Sequence, residues 1–148
     1  MRAQESLNEI ERPDVGWITH KRSYEMAKTD QKEHYSWDES GALERINGNT
    51  TLLRRLLTLY LTSSRQMLED IDTARESQNR EKLAGAAHAL KGVAGNLSAP
   101  IVTSLAKELE SLAASADWKV LDQSITKVRE ASDELATIFT RHLEAESQ

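Results

Sequence analysis

A chain of 148 residues, 39% hydrophobic and 29% charged, holds one globular domain with some length left over. Its net charge of −5, with both signs interspersed, argues against a general nucleic-acid binder and against a polybasic membrane anchor, since both need a basic face. The absence of cysteine excludes disulfides, thiolate chemistry and Cys-ligated zinc.

The N-terminus has no apolar signal core, and the longest apolar stretch, around Leu56 to Leu61, is too short to span a bilayer. A soluble cytoplasmic chain without membrane contact is expected. Residues 1–36 are polar, mixed in charge and poor in Leu. A short helix over Ser6 to Glu11 stopped by Pro13, then a turn at Asp14-Val15-Gly16-Trp17, reads as a linker or partly ordered tail. Trp17 and Ile18 are its candidate docking residues.

The pattern turns helical from Trp37, so residues 37–148 form the predicted domain. A short helix covers Ser40 to Ile46 and ends at Asn47-Gly48-Asn49, where Asn49 or Thr50 can cap the next. The second helix spans about Thr51 to Arg75, with Leu53, Leu57, Tyr60, Ser64, Met67 and Ile71 at alternating spacings of three and four. Ser77-Gln78-Asn79 breaks it. The third covers Arg80 to Leu97, with Leu83, Ala87, Leu90, Ala94 and Leu97 as its stripe. Ser98-Ala99-Pro100 marks a break and restart, because Pro suits only a first helical turn. The fourth runs from Pro100 to about Ala114 on Val102, Leu105, Ala106, Leu109 and Leu112. Asp117 caps a fifth that reaches Leu143 on Leu121, Ile125, Val128, Leu135 and Phe139. The fold is therefore predicted to be all-α: an antiparallel four-helix bundle with a short additional N-terminal helix.

His88 lies roughly 140° from the stripe of the third helix, near its solvent side. Its neighbours at i±3 and i±4 are Ala84, Gly85, Lys91 and Gly92, three minimal residues and one cation. Glycine in a helix costs about 1 kcal/mol relative to alanine, so Gly85, Gly92 and Gly95 together cost on the order of 3 kcal/mol. Room for another surface to approach the ring would favour them. For Gly95, close helix–helix contact explains it equally well. A neutral imidazole is a competent nucleophile near pH 7, and Lys91, one turn away, can donate to the oxygens of an incoming phosphoryl group.

The segment Ala87-His88-Ala89-Leu90-Lys91-Gly92-Val93-Ala94-Gly95-Asn96-Leu97 resembles the signature of histidine-containing phosphotransfer (HPt) domains, H-x-x-K-G followed by small residues and N-L-G. The segment around Leu43, Gly48 and Leu52-Leu53 is similar to the start of such domains, and Leu105 to Glu110 to their fourth helix. The resemblance covers about Trp37 to Leu143 and departs where Ser98 stands in place of the final Gly. It implies a phosphorelay intermediate: His88 accepts a phosphoryl group from the Asp of one receiver domain and passes it to another. Lys91 steadies the group and Gly92 permits docking. Ala84, Gly85, Gly95 and Leu59 complete the expected docking surface. The resemblance also implies a phosphocarrier without a kinase core, needing no cofactor of its own, with Mg²⁺ on the partner receiver. A monomer is expected. Stand-alone protein and C-terminal part of a hybrid sensor kinase both fit.

Leu52 and Leu59 sit about 100° or more off the stripe of the second helix. Both either contact the short first helix or form part of an apolar docking patch; packing is favoured for Leu52, and for Leu59 the two alternatives stand equal. His20, His34 and His142 show no ligand-like partners at i+3 or i+4, so no metal site is expected. The scattered Asp and Glu read as solvated faces, caps and helical pairs. A histidine-kinase dimerisation domain fits less well, because Ala89 follows the histidine where an acidic base belongs and no Gly-rich nucleotide-binding segment occurs. A non-catalytic helical adaptor is the other alternative, and predicts that His88→Gln leaves partner function intact.

Overall fold

The computed structural model describes residues 36–146. The expectations for the short helix at Ser6 to Glu11, the turn after Pro13, Trp17, Ile18, His20 and His34 lie outside the described residues. Five helices follow in order: α1 (Glu39–Arg45), α2 (Thr50–Glu76), α3 (Arg80–Asn96), α4 (Pro100–Leu112) and α5 (Trp118–Glu146). No strand occurs among the described residues. The principal contacts run α2 to α3, α3 to α4, α4 to α5 and α5 back to α2, which closes an antiparallel four-helix bundle, with α1 laid against α2.

Caps punctuate the chain. Asp38 opens α1, its carboxylate accepting from the Gly41 amide at 3.0 Å. A Cβ at Gly41 would collide with that carboxylate, so glycine is what lets the cap close. Asn49 and Asn79 open α2 and α3, accepting from the Leu52 and Lys82 amides at 3.0 Å each. Pro100 begins α4 in a first-turn position, with no side-chain cap from Ala99.

The ends of α1, α2 and α3 share one geometry. Asn47, Gln78 and Ser98 take the left-handed conformation at φ 57°, 54° and 58°. In each case the residue after it donates back to the carbonyl five positions earlier: Gly48 to Leu43, Asn79 to Ala74 and Ala99 to Ala94. This is the Schellman closure, and it satisfies carbonyls that the helix leaves orphaned. Ser98, the residue that departs from the HPt pattern, thus occupies the position where a left-handed residue is required.

Leu83, Ala87, Leu90, Ala94 and Leu97 are all buried, as the spacing predicts for α3. On α2, Leu68 is buried and Met67 only half-buried, so the stripe passes one residue later than expected. On α5 the inward positions also include Ser124 and Ser132. The Tyr60 hydroxyl and Ser132 Oγ lie 2.9 Å apart, which joins α2 to α5 through the core. Burial pushes the Tyr60 phenol up to about 12, more than the hydrogen bonds with Ser132 and Ser64 pull it back. Phe139 packs edge-on against Tyr60 and Trp37, with ring centroids 5.2 and 4.9 Å apart. The Trp37 indole donates to the Leu97 carbonyl at 2.9 Å, and Asp38 donates its amide to the Ser98 carbonyl at 2.9 Å. The chain entering α1 is thereby fastened to the connector between α3 and α4.

Leu52 is 36% exposed and stands outside the buried core. No helix of the described residues is long and apolar enough to cross a membrane.

Candidate functional site

His88 stands in the middle of α3 with its side chain 66% exposed, on the face predicted from the helical wheel. It is held by an acid that the sequence does not single out. Glu110, on α4, receives His88 Nδ1 on Oε2 at 2.9 Å and Lys91 Nζ on Oε1 at 2.7 Å. One carboxylate therefore bridges the two side chains that the motif singled out. The hydrogen bond from Lys91, and after it the one from His88, hold the Glu110 carboxyl below its usual value against the opposing push of partial burial.

An ionised carboxylate only accepts, so the ring nitrogen facing it must carry the proton. In the neutral imidazole that assigns the proton to Nδ1 and the lone pair to Nε2. The ring is thus oriented and its free nucleophilic nitrogen fixed by one contact across the α3–α4 interface. The Lys91 ammonium is paired with Glu110 in this state. That pairing balances a carboxylate that would otherwise repel an incoming phosphoryl group.

Gly85 and Gly92 are exposed, and a Cβ built on either would meet nothing within 4 Å. Packing does not require glycine at either place, so the surface flanking the ring is open at a cost in helix propensity. Gly95 differs. It is half-buried and faces α4, where a Cβ would touch Thr103 Cγ2 at an ordinary 3.8 Å. Close helix packing does not demand glycine there either. Ala84 is half-buried against the core. Leu59 is 59% exposed in a shallow groove with Thr51, Arg55 and Thr58. It sits on the outer side of α2, roughly 14 Å along the bundle from the level of His88 at 1.5 Å per residue. It is not among the side chains around the ring.

His142 does have carboxylates beside it, contrary to expectation, and one of them, Glu146, stands at i+4 in the sequence. Its Nε2 lies 3.3 Å from Glu146 one turn on, and its Nδ1 3.8 Å from Glu39 of α1. No group of three or more side chains suited to hold a metal ion occurs among the described residues.

The model of the Hpt domain family matches residues 55–141, which contain α3 and Glu110. No curated protein matches the chain significantly. Among solved structures, the HPt domain of a sensor hybrid histidine kinase from Shewanella is similar at 19% identity and a TM-score of 0.67, covering 75% of this chain and 96% of that one. A putative histidine-containing phosphotransfer protein from rice is similar at 16% identity and a TM-score of 0.71, covering 84% of this chain and 91% of that one. At these identities the likeness speaks for the fold. The family match spans more than half of the sequence, and the chain belongs to the Hpt domain family.

Proposed function

We propose that this chain is a phosphorelay intermediate that carries a phosphoryl group on His88 Nε2, taken from an aspartyl phosphate of one receiver domain and passed to the Asp of another. The observation that carries the reading is an exposed imidazole tethered through Nδ1 alone, on an open glycine-flanked face. The Nε2 lone pair forms the N–P bond while the bond from phosphorus to the aspartyl oxygen breaks, and Asp leaves as a carboxylate. The ring becomes a phosphoimidazolium that keeps its Nδ1 proton directed at Glu110, whose negative charge offsets the new positive charge on the ring. The return step reverses each change. Phosphoryl transfer of this kind depends on in-line positioning and charge neutralisation, and Lys91 is placed to swing from Glu110 toward the equatorial oxygens. The divalent cation of the reaction belongs to the receiver, and this chain is a phosphocarrier with no nucleotide to bind.

Incubation with a phosphorylated receiver domain tests the proposal. The wild-type chain gains one acid-labile phosphate by intact mass, and the His88→Gln chain gains none. No gain from several receivers by a folded chain would favour an adaptor role instead.

A further inference from the structure

The open face does not end at His88. Gly95 follows Lys91 by four residues on α3, and Lys107 precedes Glu110 by three on α4, so both stand one turn beyond the triad on the same side of their helices. There the surface sinks into a groove of about 500 Å³ floored by Gly95, Ser98 and Ala99 and walled by Thr103, Ser104, Lys107 and, from α1, Arg45. The one acid on it, Asp38, is engaged in capping α1. Among the described residues neither Arg45 nor Lys107 forms an ion pair; the same holds of Arg65 and Lys127, and what sets Arg45 and Lys107 apart is that they share one groove beside the face of His88. An acidic chain therefore presents a cationic groove whose floor at Gly95 lies about 10 Å along the helix axis from the level of His88, seven residues of α3 at 1.5 Å each.

We infer that Arg45 and Lys107 form a positively charged docking rim that selects and steers an acidic receiver surface onto His88. The inference rests on the proposed relay role and adds the part of the surface that discriminates between partners. A protein partner typically covers about 800 Å² on each side, a patch roughly 16 Å in radius, so one centred on His88 spreads over the groove. The partner must bring an aspartyl phosphate and the carboxylates that hold its divalent cation, which makes its approaching face negative. Rim cations facing such a surface raise the association rate and penalise partners of the wrong charge, without taking part in the chemistry.

The test compares the whole chain with Arg45→Glu/Lys107→Glu, and with Arg65→Glu/Lys127→Glu on the exposed faces of α2 and α5 as a control of equal charge change. Helicity and thermal unfolding establish that each is folded. Lys107→Glu alone is included because Arg45 closes α1. Phosphoramidate, a donor too small to need a docking surface, reports the reactivity of His88 itself, and a panel of phosphorylated receiver domains reports docked transfer. The rim variants are expected to accept from phosphoramidate at the wild-type rate. Their kcat/KM for transfer from the best receiver is expected to fall about tenfold at low salt through KM, with kcat held within twofold, and the deficit to shrink as salt screens it. The α2/α5 control is expected to stay near wild type. Unchanged kcat/KM in the rim variants, an equal loss in the control, or a loss confined to kcat overturns the inference. Failure of the wild-type chain itself to accept from any receiver overturns the relay role beneath it.

Discussion

Glu110 accepts from both His88 and Lys91, and that shared acceptor determines which ring nitrogen faces solvent. Glu110 acts through the ring and is a positioning residue. Glu110→Ala frees the ring to sample both tautomers and is expected to slow transfer at least about tenfold, in the range typical of an orienting partner of a histidine. Glu110→Gln keeps an acceptor for Nδ1–H and should retain more activity. The readout that a merely structural role would not move is the tautomer ratio in ¹⁵N NMR: Nδ1–H predominates in the wild type and the preference is lost in Glu110→Ala. The carboxyl also reports on Lys91. A carboxyl whose folded value is depressed contributes stability above its unfolded value, and that contribution is lost as pH falls through the folded one. Lys91 supplies the largest part of the depression, so Lys91→Met should move the Glu110 titration, followed by carboxyl ¹³C shifts, upward toward the usual carboxylate value. His88 and Lys91 were legible in the sequence because they are neighbours on one helix. Glu110 was not, because its partner is 22 residues away on another helix. The signal was nonetheless present: folding α3 against α4 about the connector at Ser98-Ala99 sets position 110 opposite position 88.

At the scale of the helices, the connectors were readable from Asn, Gly and Pro, while the shared left-handed closure was not. Ser98 and Gln78 adopt positive φ without the freedom of glycine, at about 1 kcal/mol each. Ser98→Gly and Gln78→Gly are therefore each expected to stabilise the domain by about 0.5–1 kcal/mol in denaturant unfolding, the gain reduced by the greater entropy of a glycine-containing unfolded chain. No change or a loss would show that the side chains contribute contacts beyond the backbone closure. The stripe on α2 shows where periodicity stops deciding. From Ser64 to Ile71, steps of three then four or four then three both fit, which selects Met67 or Leu68 equally well. Packing against the neighbouring helices settles it for Leu68.

Across the whole molecule, the core is closed by side chains far apart in sequence. Ser132 sits where an apolar residue is expected between Val128 and Leu135, and only Tyr60, 72 residues earlier, explains it. Folding holds the Tyr60 phenol protonated to about pH 12, whereas the unfolded chain ionises it near 10. Its raised value thus favours the folded state fully below pH 10, and the contribution is lost between pH 10 and 12. Two pK units correspond to about 2–3 kcal/mol. Tyr60→Phe should accordingly show a shallower fall in stability over that interval, at a cost near neutral pH of about 1 kcal/mol for the lost hydrogen bond. Parallel alkaline profiles for the two chains would contradict the burial argument. The bundle itself was legible because four long stripes with short polar breaks leave few other ways to bury them.

The most direct test of the account is the position of the phosphate after transfer from a receiver, read by peptide mapping under alkaline conditions and by ³¹P–¹⁵N correlation on the ring. The account predicts one phosphate on His88, bonded to Nε2, with Nδ1 still protonated toward Glu110. Phosphate on Nδ1, on another residue, or undiminished in the His88→Gln chain would contradict it.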